Sequence, residues 1–233
     1  MRRSGRASGA GVLFAIEFLL VYWGLEYTTA ARSVLFLNTS PFFVALGAHA
    51  VLANDRFTTA KILGLSYACA GVAVAFHDSL TAPSLRMLLG DAMVLAAAFA
   101  WGATTVLVKA TKLAAIEPER TLLYQLFVSA LALIAASLAI GEPGLFAVTP
   151  TVLGALAYQT IIVAFISYVS WFWYIAHYPA SRVASFVFLT PVFGVIAGAV
   201  ILDEPVTPAL LAALALIAAG IYIINRPTAR DPT

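Results

Sequence analysis

The sequence predicts an all-α polytopic membrane protein, and three observations lead there. Of the 233 residues 62% are hydrophobic and 10% charged, with a mean hydropathy of +0.97, whereas a water-soluble domain has a charged fraction of roughly 25%. The apolar residues form uninterrupted runs of about 20 with no alternating pattern, which selects helices over a closed barrel as the way to satisfy backbone amides in hydrocarbon. The last quarter of the chain also repeats its opening at an offset of 150 residues: Trp23, Ala30, Arg32, Phe36, Pro41, Phe43 and Leu52 recur as Trp173, Ala180, Arg182, Phe186, Pro191, Phe193 and Leu202.

Charged residues and Pro/Gly punctuation divide the chain into eight spans, Gly9–Tyr27, Ser33–Ala53, Thr59–Phe76, Leu88–Val108, Thr121–Ile140, Thr151–Ala176, Val183–Leu202 and Val206–Ile224. The first follows a basic stretch, but Glu17 interrupts its apolar run and the segment matches a C-terminal stretch, so it reads as a span and not as a cleaved leader. The third is the shortest. Before the sixth, the turn Gly141-Glu142-Pro143-Gly144 marks a boundary. An even number of spans puts both termini on one side. Arg2, Arg3, Arg6, Arg56, Lys61, Lys109, Lys112, Arg120, Arg182, Arg226 and Arg230 then share that side, against Arg32 and Arg86 on the other. This positive-inside bias makes both ends cytoplasmic.

Arg32 follows the first span and its counterpart Arg182 the sixth, so an odd number of helices separates the copies and they point in opposite directions. Inverted repeats of this kind are the architecture of carriers that work by alternating access. The copies are unequal, because Leu88–Ile140 adds two helices before the repeated three. The division is a first repeat over 1–78 with three helices, a second over 86–227 with five, and a polar tail over 228–233.

Several runs resemble the EamA-type carriers of the drug/metabolite transporter superfamily. They are Leu25-Glu26-Tyr27-Thr28-Thr29-Ala30-Ala31-Arg32 through Pro41, and Ala176-His177-Tyr178-Pro179-Ala180-Ser181-Arg182 through Thr190-Pro191. Leu202-Asp203-Glu204-Pro205 with Ala219-Gly220 is similar to the end of such a repeat, and Leu89-Gly90-Asp91 with Ala100-Trp101-Gly102 to its first helix. The resemblance implies a secondary transporter, an exporter, of small organic metabolites such as amino acids or drugs. It also implies that the first two of the family's usual ten helices are lacking. The first copy departs from the pattern with Ala53-Asn54-Asp55 where the second has Asp203-Glu204-Pro205.

Glu17 is the leading candidate for a substrate contact. A carboxylate at mid-helix costs about 2.5–3.5 kcal/mol to insert and usually faces a bundle interior or a water-filled path. It could bind an ammonium group or exchange a proton; the bland alternative is a protonated carboxyl bonded to a tyrosine. Asn38, Trp101, Tyr158 and Gln159 complete the candidate substrate-binding set, Asn38 and Gln159 because amides in lipid face protein or water. Trp171 to Tyr174, like Tyr22 and Trp23, read as interfacial aromatics. Pro41 and Pro191 sit at matching points and predict a kink, a candidate hinge, in each copy. Gly194 and Gly198 have the spacing of a close helix contact, within the protomer or in a homodimer. Lys109, Glu26 and Asp91 lie near enough to span ends to snorkel.

No metal-ligand cluster, nucleophile elbow or phosphate loop occurs, so neither an enzyme nor a cofactor or metal site is expected. The basic residues are explained by topology and suggest no nucleic-acid partner. The expected partners are a small-molecule substrate and the lipid bilayer of the cytoplasmic (inner) cell membrane. The alternative to a carrier is a truncated non-transporting component or a subunit dependent on a partner.

Overall fold

The computed structural model describes residues 2–53, 55–75, 77, 84–111, 117–141, 148–193 and 208–226. They form α1 (Arg2–Tyr27), α2 (Ala30–Leu37), α3 (Ser40–Val51), α4 (Thr59–Ala75), α5 (Leu85–Ala110) and α6 (Pro118–Ile140). The sixth span starts as α7 (Pro150–Tyr158), passes through a π-helical stretch at Gln159–Ser167, and ends as α8 (Tyr168–His177). Next come α9 (Ala180–Ser185), a 3₁₀ turn at Phe186–Phe188, helix at 189–193, and finally α10 (Pro208–Asn225). No strand occurs among the described residues.

Five helical stretches are long and apolar enough to cross a membrane, and three shorter apolar helices bring the described segments to eight. At 26 residues, α1 and α5 are each about 39 Å long, more than the ~30 Å of a hydrocarbon core. Their ends are set locally. Ser84 and Thr149 accept hydrogen bonds from the amides of Met87 and Val152 at 3.2 and 3.3 Å, capping α5 and α7. Gly141 closes α6 with φ of 70°, a left-handed conformation that glycine adopts without steric cost.

The expected kinks in the second and seventh spans lie one turn before their prolines. Between α2 and α3, the Asn38 amide donates to the Val34 carbonyl at 2.8 Å and the Thr39 hydroxyl to Phe36 at 2.6 Å. A proline ring clashes with the carbonyl four residues earlier and offers it no N–H, so Pro41 disrupts the turn at Leu37. Pro191 acts likewise on Val187, inside the 3₁₀ turn at Phe186–Phe188. The irregular segment therefore falls at equivalent places in both copies. Gly194 and Gly198 lie outside the described residues.

Glycine lets two of the helices cross closely. The repeat-equivalent helices α4 and α10 pack together. A Cβ on Gly220 would come within 2.5 Å of the Gly64 carbonyl oxygen, and one on Gly64 within 2.7 Å of the Gly220 oxygen. Since hydrocarbon provides no hydrophobic force between helices, such close approach is the main source of cohesion. α5 packs on α1, α2 and α3, and α1 packs also on α6. One core joins Ala10, Val44, Val106, Leu122, Phe172 and Ile175, and a second joins Leu65, Ala68, Val72, Phe188 and Ile217.

Candidate functional site

Two buried polar clusters tie the copies together at opposite ends of the bundle. At the Tyr27 end, Arg32 of the first copy pairs with Asp91 of the second. Its Nε donates to both carboxylate oxygens at 3.1 and 3.2 Å, its Nη2 to Oδ2, and the Thr28 hydroxyl adds a bond at 2.7 Å. At the other end, Asp55 accepts from Lys61 Nζ at 2.5 Å and from both the hydroxyl and the backbone N–H of Ser181, the latter at 2.9 Å. Pro179, the residue preceding α9, supplies no side-chain cap, so the carboxylate of the other copy caps that helix. Arg32 sits at the Tyr27 end while Ser181 and Arg182 sit at the Asp55 end, so the two copies run in opposite directions.

Asp91 is 4% exposed, which corrects the expectation that it snorkels. Asp55, first read as a departure from a motif, is a buried anchor at 4% exposure. Glu26 is exposed, whereas Lys109 donates to the Ala176 carbonyl at 3.1 Å.

Between these ends lies a second kind of polar group. Glu17 is 7% exposed at the middle of α1, and its Oε2 has no hydrogen-bond partner among the described residues. Phe14 and Phe18 stand on the same stretch of α1. Phe14, one turn below, packs at 4.9 Å from Phe18 and edge-on at 5.3 Å from Tyr168, whose hydroxyl lies within electrostatic reach of the Glu17 carboxylate. Gln125 on α6 is 1% exposed, and neither amide atom has a hydrogen-bond partner among the described residues. Asn38 Oδ1, and Ser33 Oγ next to Arg32 at the Tyr27 end, are likewise buried and without a hydrogen-bond partner among the described residues, although the Asn38 amide nitrogen donates to Val34. Buried polar groups are ordinarily paired. Four residues with an unpaired polar atom among the described residues, on α1, α2, α6 and the α2–α3 break, are therefore the candidates for solute contact.

Of the residues singled out in the sequence, Glu17 and Asn38 are buried. Trp101 is half-buried on α5, its ring 4.7 Å from that of Trp171. Both tryptophans pack against the core that also takes in Tyr168 and Leu126, joining α5, α6 and α8 around one centre. The structure does not bring Tyr158 and Gln159 there: Tyr158 is 60% exposed, and Gln159 is exposed at the start of the π-helical stretch. Gln125, which sequence reasoning missed, carried the same signal as Gln159, an amide inside a span.

Comparison with known proteins agrees with this architecture. Residues 88–226 match the EamA-like transporter family. A probable amino-acid metabolite efflux pump of Salmonella typhimurium is 30% identical over 90% of this chain and 71% of its own length. Its Escherichia coli counterpart is 27% identical over 90% and 71%. An uncharacterized transporter of Archaeoglobus fulgidus is 28% identical over 93% and 72%. A solved crystal structure, 21% identical, shares the fold with a TM-score of 0.79 over 94% of this chain and 75% of that one. With an inverted pair of helical repeats, charge anchors at both ends and unpaired polar groups between them, the chain belongs to the EamA-like transporter family and is a multi-pass membrane transporter.

Proposed function

We propose that the protein exports small organic metabolites of the amino-acid class across the cytoplasmic membrane, by alternating access between the repeats 1–78 and 86–227. The observation that carries this reading is Glu17, a buried carboxyl with an oxygen that has no hydrogen-bond partner among the described residues, in a bundle of inverted repeats. An ammonium group or a proton is the natural partner of such a carboxylate. Asn38 and Trp101 join it as solute contacts from the sequence-predicted set, and Gln125 is added by the structure. Tyr158 and Gln159 stay candidates only for a state in which their exposed face is covered. The efflux pumps among the relatives favour the outward direction and the substrate class. In this reading an ion or substrate gradient is the driving force.

The test is Glu17→Gln, which keeps size and hydrogen bonding but removes the charge. Export of amino acids from loaded cells should fall to the level of cells lacking the protein, with membrane insertion unchanged. Undiminished export by the variant across pH 6 to 8, the range of roughly neutral media in which an exposed carboxylate stays ionised, would sink the assignment.

A further inference from the structure

The Asp55 cluster stands at one face of the bundle, and its chemistry is not repeated in the other copy. Asp55 accepts from the Lys61 ammonium, from the Ser181 hydroxyl and from the Ser181 backbone N–H. Adding the repeat offset of 150 to Asp55 and Lys61 gives Pro205 and Leu211, and subtracting it from Ser181 gives Ala31. Neither the carboxylate, the ammonium nor the hydroxyl recurs. The Arg32–Asp91 pair at the opposite end is of another kind, because it lies in the interface along which α5 packs on α1 and α2. The Asp55 contact instead joins the loop between α3 and α4 to the first turn of α9.

That loop is braced from within the first copy. The Arg56 guanidinium donates to the His49 carbonyl at 3.0 Å, the Phe57 N–H to His49 Nδ1 at 3.1 Å, and Lys61 Nζ to the Arg56 carbonyl at 2.9 Å. Asp55 is thereby fixed to one copy while it bonds the other, and at 4% exposure little water competes for its oxygens. Behind it α3 packs on α9, and Val44 of α3 shares a buried core with Val183 and Ala184 of α9.

In a carrier built of inverted repeats, the state open to one face becomes the state open to the other when the copies exchange conformations. Were the copies alike, the two states would be equal in free energy. A contact made at one face alone removes that equality and favours the state in which it is formed. We propose that Asp55 is a one-sided latch: its bonds to Ser181 hold α3 and α9 together at the face that the basic residues mark as cytoplasmic. The protein then rests closed to the cytoplasm, and each turnover begins by breaking these bonds. Asp55 touches no solute and acts as a positioning residue. The latch rests on the reading of the chain as an alternating-access carrier.

The test is reagent access to Val44→Cys, a position 0% exposed, in the full chain carrying Cys69→Ala. A membrane-impermeant maleimide would be applied to inside-out vesicles, which present the cytoplasmic face, and to right-side-out vesicles. Asp55→Ala should raise the labelling rate from the cytoplasmic face at least about fivefold, the population shift that goes with one lost helix cap, and should not raise the rate from the outer face. Asp55→Asn, which keeps an acceptor for Ser181, should give a smaller rise. Ser181→Ala loses only the hydroxyl and should also give a smaller rise, and it reads the same contact if Asp55→Ala does not insert. Unchanged labelling in these variants would overturn the proposal. So would a rise of equal size from both faces, which is what the loss of a merely structural cap would give. The labelling needs no substrate, so its failure beside intact amino-acid export strikes the latch alone, and the reverse strikes the substrate assignment alone.

Discussion

Removing the carboxylate of Asp91 should damage the protein more than removing the whole ion pair. Asp91→Ala leaves the Arg32 guanidinium, 3% exposed, without the carboxylate that accepts three of its hydrogen bonds, and removes the acceptor of the Thr28 hydroxyl. Breaking a buried pair by deleting one member costs about 3–5 kcal/mol, because a charge remains buried and uncompensated. Replacing both members with apolar residues of similar volume is often neutral. Arg32→Leu/Asp91→Leu should therefore be more stable than either single variant, with a coupling energy of about 2–3 kcal/mol in the double-mutant cycle. Thr28→Val, which loses one hydrogen bond to a charged group, should cost about 1.5–3 kcal/mol. The assay is reversible unfolding in mixed micelles by a denaturing detergent, followed by tryptophan fluorescence. A double variant whose cost equals the sum of the two singles would refute the reasoning, because the side chains would then be acting independently.

Gly220→Ala places a methyl group 2.5 Å from the Gly64 carbonyl and should destabilise by about 1–3 kcal/mol. Gly154→Ala, which meets nothing within 4 Å, should be tolerated in the same unfolding assay. Asp55→Ala removes the cap of α9 and the partner of Lys61 together and should cost at least the ~1 kcal/mol of a lost helix cap, whereas Asp55→Asn keeps an acceptor for Ser181 and should recover part of it. Alanine substitutions at Trp101 and Trp171, taken singly and together, should show a coupling of about 0.5–1.5 kcal/mol from their ring contact.

Much of this architecture is legible in the sequence, for physical reasons that also set its limits. Hydrocarbon demands long apolar runs, so the eight segments are legible from hydropathy and its breaks, the sixth expected over Thr151–Ala176 and found over Pro150–His177. The repeat is visible because residues such as Arg32 and Arg182 recur at fixed spacing. The break at Asn38 and Thr39 was displaced from Pro41 because a proline perturbs the turn before it. Asp91 and Asp55 were illegible as anchors, since their partners Arg32 and Ser181 lie 59 and 126 positions away in the chain. Gln125 and Gln159 present the same residue type in similar apolar surroundings, yet one is buried and the other exposed. Which face of a helix points inward depends on its phase, and the π-helical turn at Gln159–Ser167 shifts that phase.

The central claim, that one site is presented alternately to the two faces, is tested most directly by counterflow. Membrane vesicles containing the protein would be loaded with an unlabelled amino acid, and uptake of the same labelled amino acid followed from trace outside concentration. Alternating access predicts a transient, saturable accumulation above equilibrium that is abolished by Glu17→Gln. Uptake that never exceeds simple equilibration for any amino acid tried, or accumulation undiminished in the variant, would contradict the account.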